Sequence, residues 1–91
     1  MSVLIITYDL NRERTGGDRE GLLQYIKTHS WARLSESSYA VATDKAPATV
    51  VEEARRYLDK NDNIYVINLK KPYSGWGPKD VNDWLEGGLR Y

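Results

Sequence analysis

An apolar, β-branched stretch opens the chain, where residues 3–9 read Val-Leu-Ile-Ile-Thr-Tyr-Asp. The stretch is too short for a buried helix and is rich in residues that favour strands. It therefore predicts a strand in the middle of a sheet, covered on both faces. Asp9 ends this strand with a carboxylate.

Two later segments repeat apolar residues at intervals of three and four, as one buried face of a helix requires. The first is expected to begin after Asp18, which can cap it, and to run to about Thr28. The second is expected to begin at Pro47, whose missing N–H is not needed in a first turn. The apolar positions are Leu22, Leu23 and Ile26 in the first helix and Val50, Val51, Ala54, Tyr57 and Leu58 in the second. Each helix should pack one face against a sheet.

Three further stretches predict strands, at residues 31–34, 37–43 and 64–69. The first two are joined by a tight polar turn or run together through a bulge, and the third is predicted to be another central strand. The resulting order is strand, helix, two strands, helix, strand. This order predicts an α+β fold, a ferredoxin-like βαββαβ sandwich whose four-stranded antiparallel sheet carries both helices on one face.

The tail, residues 70–91, adds a loop and a short C-terminal helix to this single domain of residues 1–91. Pro78 should open the helix, and Gly87 and Gly88 should end it. Val81, Trp84 and Leu85 share one face, so the helix must cover something, and packing is the preferred interpretation of Trp84. Residues 89–91 either fray or pair along a sheet edge.

The composition narrows the class of protein. Thirteen Lys and Arg balance thirteen Asp and Glu among 91 residues, so no global field attracts nucleic acid or a membrane. There is no cysteine, no apolar run near ~18 residues and no signal-peptide pattern at the N-terminus. These features predict a soluble, cytoplasmic protein with no membrane partner, and its small size favours a homo-oligomer.

Asp9 is the first candidate site residue. A carboxylate at the end of a buried strand is costly unless it is paired, hydrogen bonded or bound to a cation, so we expect Asp9 to face a cleft or an interface. The alternative is that Asp9 starts the following turn, with its side chain accepting a backbone N–H. The single His29 is interpreted as a helix C-terminal residue, since no second imidazole or thiolate accompanies it.

The loop before the last helix carries the second candidate set, in which Lys70 and Lys71 alternate with aromatic residues. Tyr73 and Trp76 could stack on bases beside the lysines, form a protein-binding hot spot or pack the tail. Seven Tyr and three Trp without any Phe also favour aromatic side chains half exposed at grooves or contacts.

Short motifs carry a resemblance to a known family. The opening Leu-Ile-Ile-Thr-Tyr-Asp-Leu of residues 4–10, followed by a basic loop, resembles the first strand of CRISPR-associated Cas2 proteins. The Glu-Ser-Ser-Tyr-Ala-Val stretch of residues 36–41 resembles a later strand of that family. Both motifs, and the Leu-Asp-Lys-Asn-Asp of residues 58–62, are similar to the small Cas2-like proteins of the SinR type.

The resemblance implies a homodimer in which Asp9 of each copy approaches one divalent ion, Mg²⁺ or Mn²⁺. Arg12 and Arg14 would then contact phosphate beside the metal, and the activity would be that of a metal-dependent endonuclease acting on RNA or DNA. A non-enzymatic adaptor or regulatory dimer, holding a protein partner through Tyr73, Trp76 and Trp84, is the second hypothesis. A small-ligand sensor built on the same fold is the third.

Overall fold

A four-stranded antiparallel sheet forms the centre of the protein in a computed structural model that describes residues 1–11 and 17–91. The strands are β1 (Ser2–Asp9), β2 (Ser30–Ser35), β3 (Ser38–Thr43) and β4 (Asn63–Leu69), in the order β2-β3-β1-β4. The helices are α1 (Arg19–Ile26), α2 (Pro47–Ala54), which continues into a 3₁₀ turn at Arg55–Tyr57, and α3 (Lys79–Gly88). This is the predicted ferredoxin-like arrangement. None of the helices in the described ranges has the length and apolar character needed to cross a membrane.

β1 is a central strand, as predicted, because it pairs with β3 on one side and β4 on the other. The prediction that residues 64–69 form a second central strand is wrong, since β4 lies at the edge of the sheet. Tyr65 and Ile67 remain 65% and 55% exposed there, while Ile64 and Val66 pack against the main core. An apolar run alone does not separate a strand covered on both faces from one covered on a single face.

The main core lies between the sheet and the first two helices. Leu4, Ile6 and Tyr8 point to this side from β1, because alternate residues of a strand face the same way. They meet residues from β3, α1 and α2, of which the buried members are Leu22, Ile26, Tyr39, Val41, Val50 and Ala54. The predicted apolar stripe of α1 therefore faces the sheet, and so do Val50 and Ala54 of α2. Tyr57 and Leu58 lie beyond the end of α2 and pack against the same core.

A second, smaller core lies on the opposite face, where α3 covers one end of the sheet. Val3 and Ala40 from the sheet meet Leu85 and Leu89 from the tail. The helix ends at Gly88, and Gly87 and Gly88 form its last two residues, as predicted. Leu89 is 5% exposed. The backbone N–H of Lys71 donates to the carbonyl of Arg90, so the end of the tail is attached to the loop that precedes α3.

The start of α1 is fixed by close contact with the turn that follows α2. The carboxylate of Asp18 accepts the N–H of Gly21 at 2.9 Å, which confirms the predicted cap, and the N–H of Asp18 donates to the carbonyl of Tyr57 at 2.7 Å. A Cβ at Gly21 would lie 2.6 Å from the Tyr57 ring. Glycine is therefore required at this position by the approach of the two segments.

Candidate functional site

Asp9 lies exposed at the end of the central strand, directly opposite Asn63 of β4. Strand alternation places it on the sheet face that α1 and α2 do not cover. With Thr7, Asn63 and Tyr65 it lines a shallow hollow of about 280 Å³. Within the described part of the chain, no hydrogen bond or ion pair reaches the Asp9 carboxylate. The Asp9 carboxylate is therefore exposed to solvent at the C-terminal end of β1.

The side chain of the preceding residue, Tyr8, points to the opposite face of the sheet from Asp9. It is 6% exposed within the main core, and its hydroxyl donates to the carbonyl of Glu36 at 3.4 Å. Burial raises the pKa of the Tyr8 hydroxyl, with a further contribution from the neighbouring Tyr39. The adjacent tyrosine and aspartate thus have separate roles, one in the core and one at the surface.

Asp62 organises the turn that leaves β1. One oxygen of its carboxylate accepts the N–H of Asn11 at 2.7 Å, and the other accepts the N–H of Asp59 at 2.8 Å. The alternative turn role for Asp9 is therefore not seen at Asn11, whose N–H bonds to Asp62. The sequence contained a signal for the local bond to Asp59, because the Asp-Lys-Asn-Asp-Asn run of residues 59–63 is rich in side chains that bond nearby backbone, but none for the contact with the distant Asn11.

A metal ion at Asp9 would need ligands from elsewhere. Over residues 1–11 and 17–91, no group of three or more His, Cys, Asp or Glu side chains is placed to hold an ion. Mg²⁺ is commonly held by one or two carboxylates and keeps several waters, so one exposed carboxylate from each of two copies fits that requirement. One copy therefore offers the Asp9 carboxylate for such an ion, and its remaining ligands would have to be waters or groups of a second copy.

The basic candidates differ in their availability. Arg12 and Arg14 lie outside the described residues. Lys70 is exposed, whereas the side chain of Lys71 is only 18% exposed, and its ammonium lies 3.0 Å from a carboxylate oxygen of Glu86. That contact lowers the pKa of the Glu86 carboxyl. Lys71 thus ties the loop to α3, and Lys70 is the lysine of the pair that faces solvent.

The aromatic residues of the tail do not form one stacking surface. Tyr73 packs against the second core and donates its hydroxyl to the carbonyl of Asn82 at 3.2 Å. Trp84 also packs there, and its indole N–H donates to the hydroxyl of Ser30 at 3.2 Å. Trp76, by contrast, is fully exposed. The packing interpretation of Trp84 is confirmed, and among Tyr73, Trp76 and Trp84 it is Trp76 that is exposed to a partner.

A groove of about 420 Å³ lies beside Trp76, between the sheet, the loop and α3. Ile5 and Leu34 contribute its sheet side, and Tyr73 and Val81 contribute its tail side. Most of its surface is apolar, and Lys70 is among its lining residues. Most of the residues that line the groove belong to the tail.

A polar cluster on the helix side is structural. The carboxylate of Glu53 accepts hydrogen bonds from the hydroxyl of Tyr25 and the ammonium of Lys45, both at 2.7 Å. Burial and the contact with Glu53 raise the pKa of Tyr25, while Lys45 and Tyr25 lower the pKa of Glu53. His29 lies edge-on to Tyr25 with Nδ1 3.1 Å from the carbonyl of Ile26. This is the predicted position of His29 at a helix end.

No protein-family model and no solved structure matches this chain. A functional proposal therefore depends on the strand order, the geometry around Asp9 and the surface that the tail leaves open.

Proposed function

We propose that the chain acts as a Cas2-like homodimer associated with nucleic acid, in which Asp9 of each copy binds one shared divalent ion, Mg²⁺ or Mn²⁺. The observation that carries this proposal is the exposed Asp9 carboxylate, without a protein partner in the described residues, at the end of the central strand. Two carboxylates brought close together repel unless a cation lies between them, so metal binding and dimerisation would support each other.

The open sheet face next to Asp9 supports a dimer. Tyr65 and Ile67 of β4 are exposed on this face. Ile5 of the neighbouring strand β1, which lies opposite Ile67, is only half-buried. Apolar side chains at outward positions favour contact with another protein surface over contact with water. A two-fold axis running along the strands would place the two Asp9 carboxylates together at one end of the contact.

The chemistry of such a site would be phosphodiester cleavage in RNA or DNA. A bound divalent ion supplies an activated water and offsets charge on the phosphate. Asp9 would hold the ion, and Arg12 and Arg14, three and five residues further along the chain, would contact phosphate. Lys70 adds an exposed cation at the other end of β4.

The metal proposal is tested by thermal melts of wild type and Asp9→Asn with and without millimolar Mn²⁺. A ligand at about a hundred times its dissociation constant stabilises the folded state by roughly 2.7 kcal/mol, so the wild type should melt at a higher temperature with metal. Asp9→Asn should lose this shift and be equally or more stable without metal. Asp44→Asn, an exposed carboxylate at the opposite end of the sheet, is the matched control and should keep the shift.

A wild type whose melting temperature ignores Mn²⁺ would contradict the metal site. Nucleic-acid association is tested separately by anisotropy with single-stranded RNA and duplex DNA over a series of salt concentrations. Binding should weaken steeply as salt rises, because phosphate contacts release counterions. Cleavage that survives Asp9→Asn would remove Asp9 from the catalytic site.

The non-enzymatic adaptor dimer is the second candidate, because Trp76 is fully exposed on the tail. Tyr73 and Trp84 are engaged in packing, so this function would depend mainly on Trp76 and its surroundings. Partner binding through an apolar contact should change little with salt and should be unaffected by Asp9→Asn. These two properties separate it from the nucleic-acid function.

A further inference from the structure

The exposed indole of Trp76 lies in an unusual setting. Gly75 and Gly77 flank it in the loop that joins β4 to α3, so the backbone on either side carries no bulky side chain. A Cβ at Gly77 would meet nothing within 4 Å, which shows how open this part of the surface is. A large aromatic side chain held out from such a loop has the form of a protein-binding anchor, since tryptophan is enriched among interface hot spots.

The groove beside Trp76 has the size and chemistry to receive an indole. Its volume of about 420 Å³ falls in the range of ligand-binding clefts, and its walls include Leu34, Leu69 and Val81. Among the described residues that line it, none is acidic. Lys70 also lines the groove and supplies a cation for a cation–π contact with an aromatic ring.

We propose that this groove is filled by Trp76 of a second copy of the chain, in a reciprocal contact in which each copy gives one indole and receives one. The proposal rests on the homodimer proposed above and names the residues that hold it together. A two-fold contact uses the same patch on both copies, so it requires an anchor and a receiving groove side by side on one surface. Trp76 and the groove meet that requirement.

A stable dimer needs a certain contact area from each copy. A specific interface takes about 800 Å² from each partner, which is roughly an eighth of the 6169 Å² surface of this chain. A buried tryptophan accounts for about 150 to 250 Å². Each copy would bury its own Trp76 indole and the walls of the groove that receives the partner's indole, and together these supply a large part of the contact area. The exposed Tyr65 and Ile67 extend the apolar surface toward Asp9.

The contact is tested by sedimentation velocity of wild type, Trp76→Ala and Leu34→Lys. Loss of a hot spot of about 2 kcal/mol or more raises the dimer dissociation constant at least about thirtyfold, and we expect this of Trp76→Ala. Leu34→Lys, which places a charge in the receiving groove, should have a similar effect. Trp31→Phe alters an aromatic residue that contacts Tyr39 and Lys27, away from the groove, and should leave the dissociation constant unchanged.

A mixing experiment tests reciprocity directly. Trp76→Ala lacks the anchor and keeps the groove walls other than Trp76 itself, whereas Leu34→Lys keeps the anchor and places a charge in the groove. A mixed dimer of these two variants retains one complete contact, and either homodimer retains none. The mixed dimer should therefore form at concentrations where both variants alone are monomers, and circular dichroism establishes that both are folded.

The outcomes separate this inference from the proposed function. A Trp76→Ala dimer as tight as wild type, or no preference for the mixed dimer, would overturn the reciprocal contact and leave the Asp9 site standing. A mixed dimer that forms as expected, together with a melting temperature that ignores Mn²⁺, would support the contact and overturn the metal proposal. A wild type that stays monomeric at high micromolar concentration would overturn both.

Discussion

Replacing Leu85 by Ala tests whether α3 is part of the core. Leu85 is the buried residue of this helix, 8% exposed, and it belongs to a cluster with Val3, Ala40 and Leu89. Leu→Ala substitutions in cores cost about 2 to 5 kcal/mol, from lost burial and from the cavity left behind. Because this cluster is small and lies near the surface, its neighbours can relax into the gap, so we expect about 2 to 3 kcal/mol.

The measurement is urea unfolding at a fixed protein concentration, since a dimer makes stability depend on concentration. For a domain of this size, a loss of 2 to 3 kcal/mol corresponds to a fall in melting temperature of about 10 to 20 °C. Asp83→Ala, which removes only an exposed contact with Lys79 on the same helix, should change stability by less than about 0.5 kcal/mol. If Leu85→Ala changed stability as little as this control, α3 would be an appendage and the second core would not exist as described.

The remaining predictions concern single contacts. Trp84→Phe removes the hydrogen bond to Ser30 while keeping most of the packing, and it should cost about 1 kcal/mol in urea unfolding; no change would mean that the bond is not formed. Ala46 caps α2 without a side-chain hydrogen bond, so Ala46→Ser should stabilise the fold by up to about 1 kcal/mol. The pKa of the Glu53 carboxyl is lower in the folded state than in the unfolded chain. The ionised carboxylate therefore stabilises the fold at pH values above the ordinary glutamate pKa, and this stabilisation is lost as the pH falls through the lower pKa of the folded state. Lys45→Met should therefore reduce the loss of stability between about pH 7 and about pH 3, and an unchanged pH dependence would contradict this role of Glu53.

The sequence predicted the architecture because each element carried its own local signal. The apolar run ending at Asp9 indicated the central strand, Asp18 and Pro47 marked the starts of two helices, and the stripes at intervals of three and four marked their buried faces. These signals depend on neighbours in the chain. The ferredoxin-like arrangement then followed from the order of the elements along the chain and their short connections, but the edge position of residues 64–69 did not.

The errors and omissions concern contacts between distant residues. Whether residues 64–69 form a central or an edge strand depends on which strands lie beside them, and the run itself does not carry that information. The contact between Asp62 and Asn11 joins residues 51 positions apart. The different roles of Tyr73 and Trp76 likewise depend on where α3 lies, because the loop sequence presents both as similar aromatics among lysines and glycines.

The position of α3 links the two proposals. An antiparallel sheet can face water on one side when the outward residues of its strands are polar. Here α3 covers the end of the second face that contains Val3, while the outward residues Ile5 and Ile67 further along remain apolar and at least partly exposed. This open part leads to Asp9, whose carboxylate has no partner in the described residues. In the proposed dimer, one two-fold interface would use both the apolar sheet face and Asp9, with Trp76 at one end and a metal between the two Asp9 carboxylates at the other.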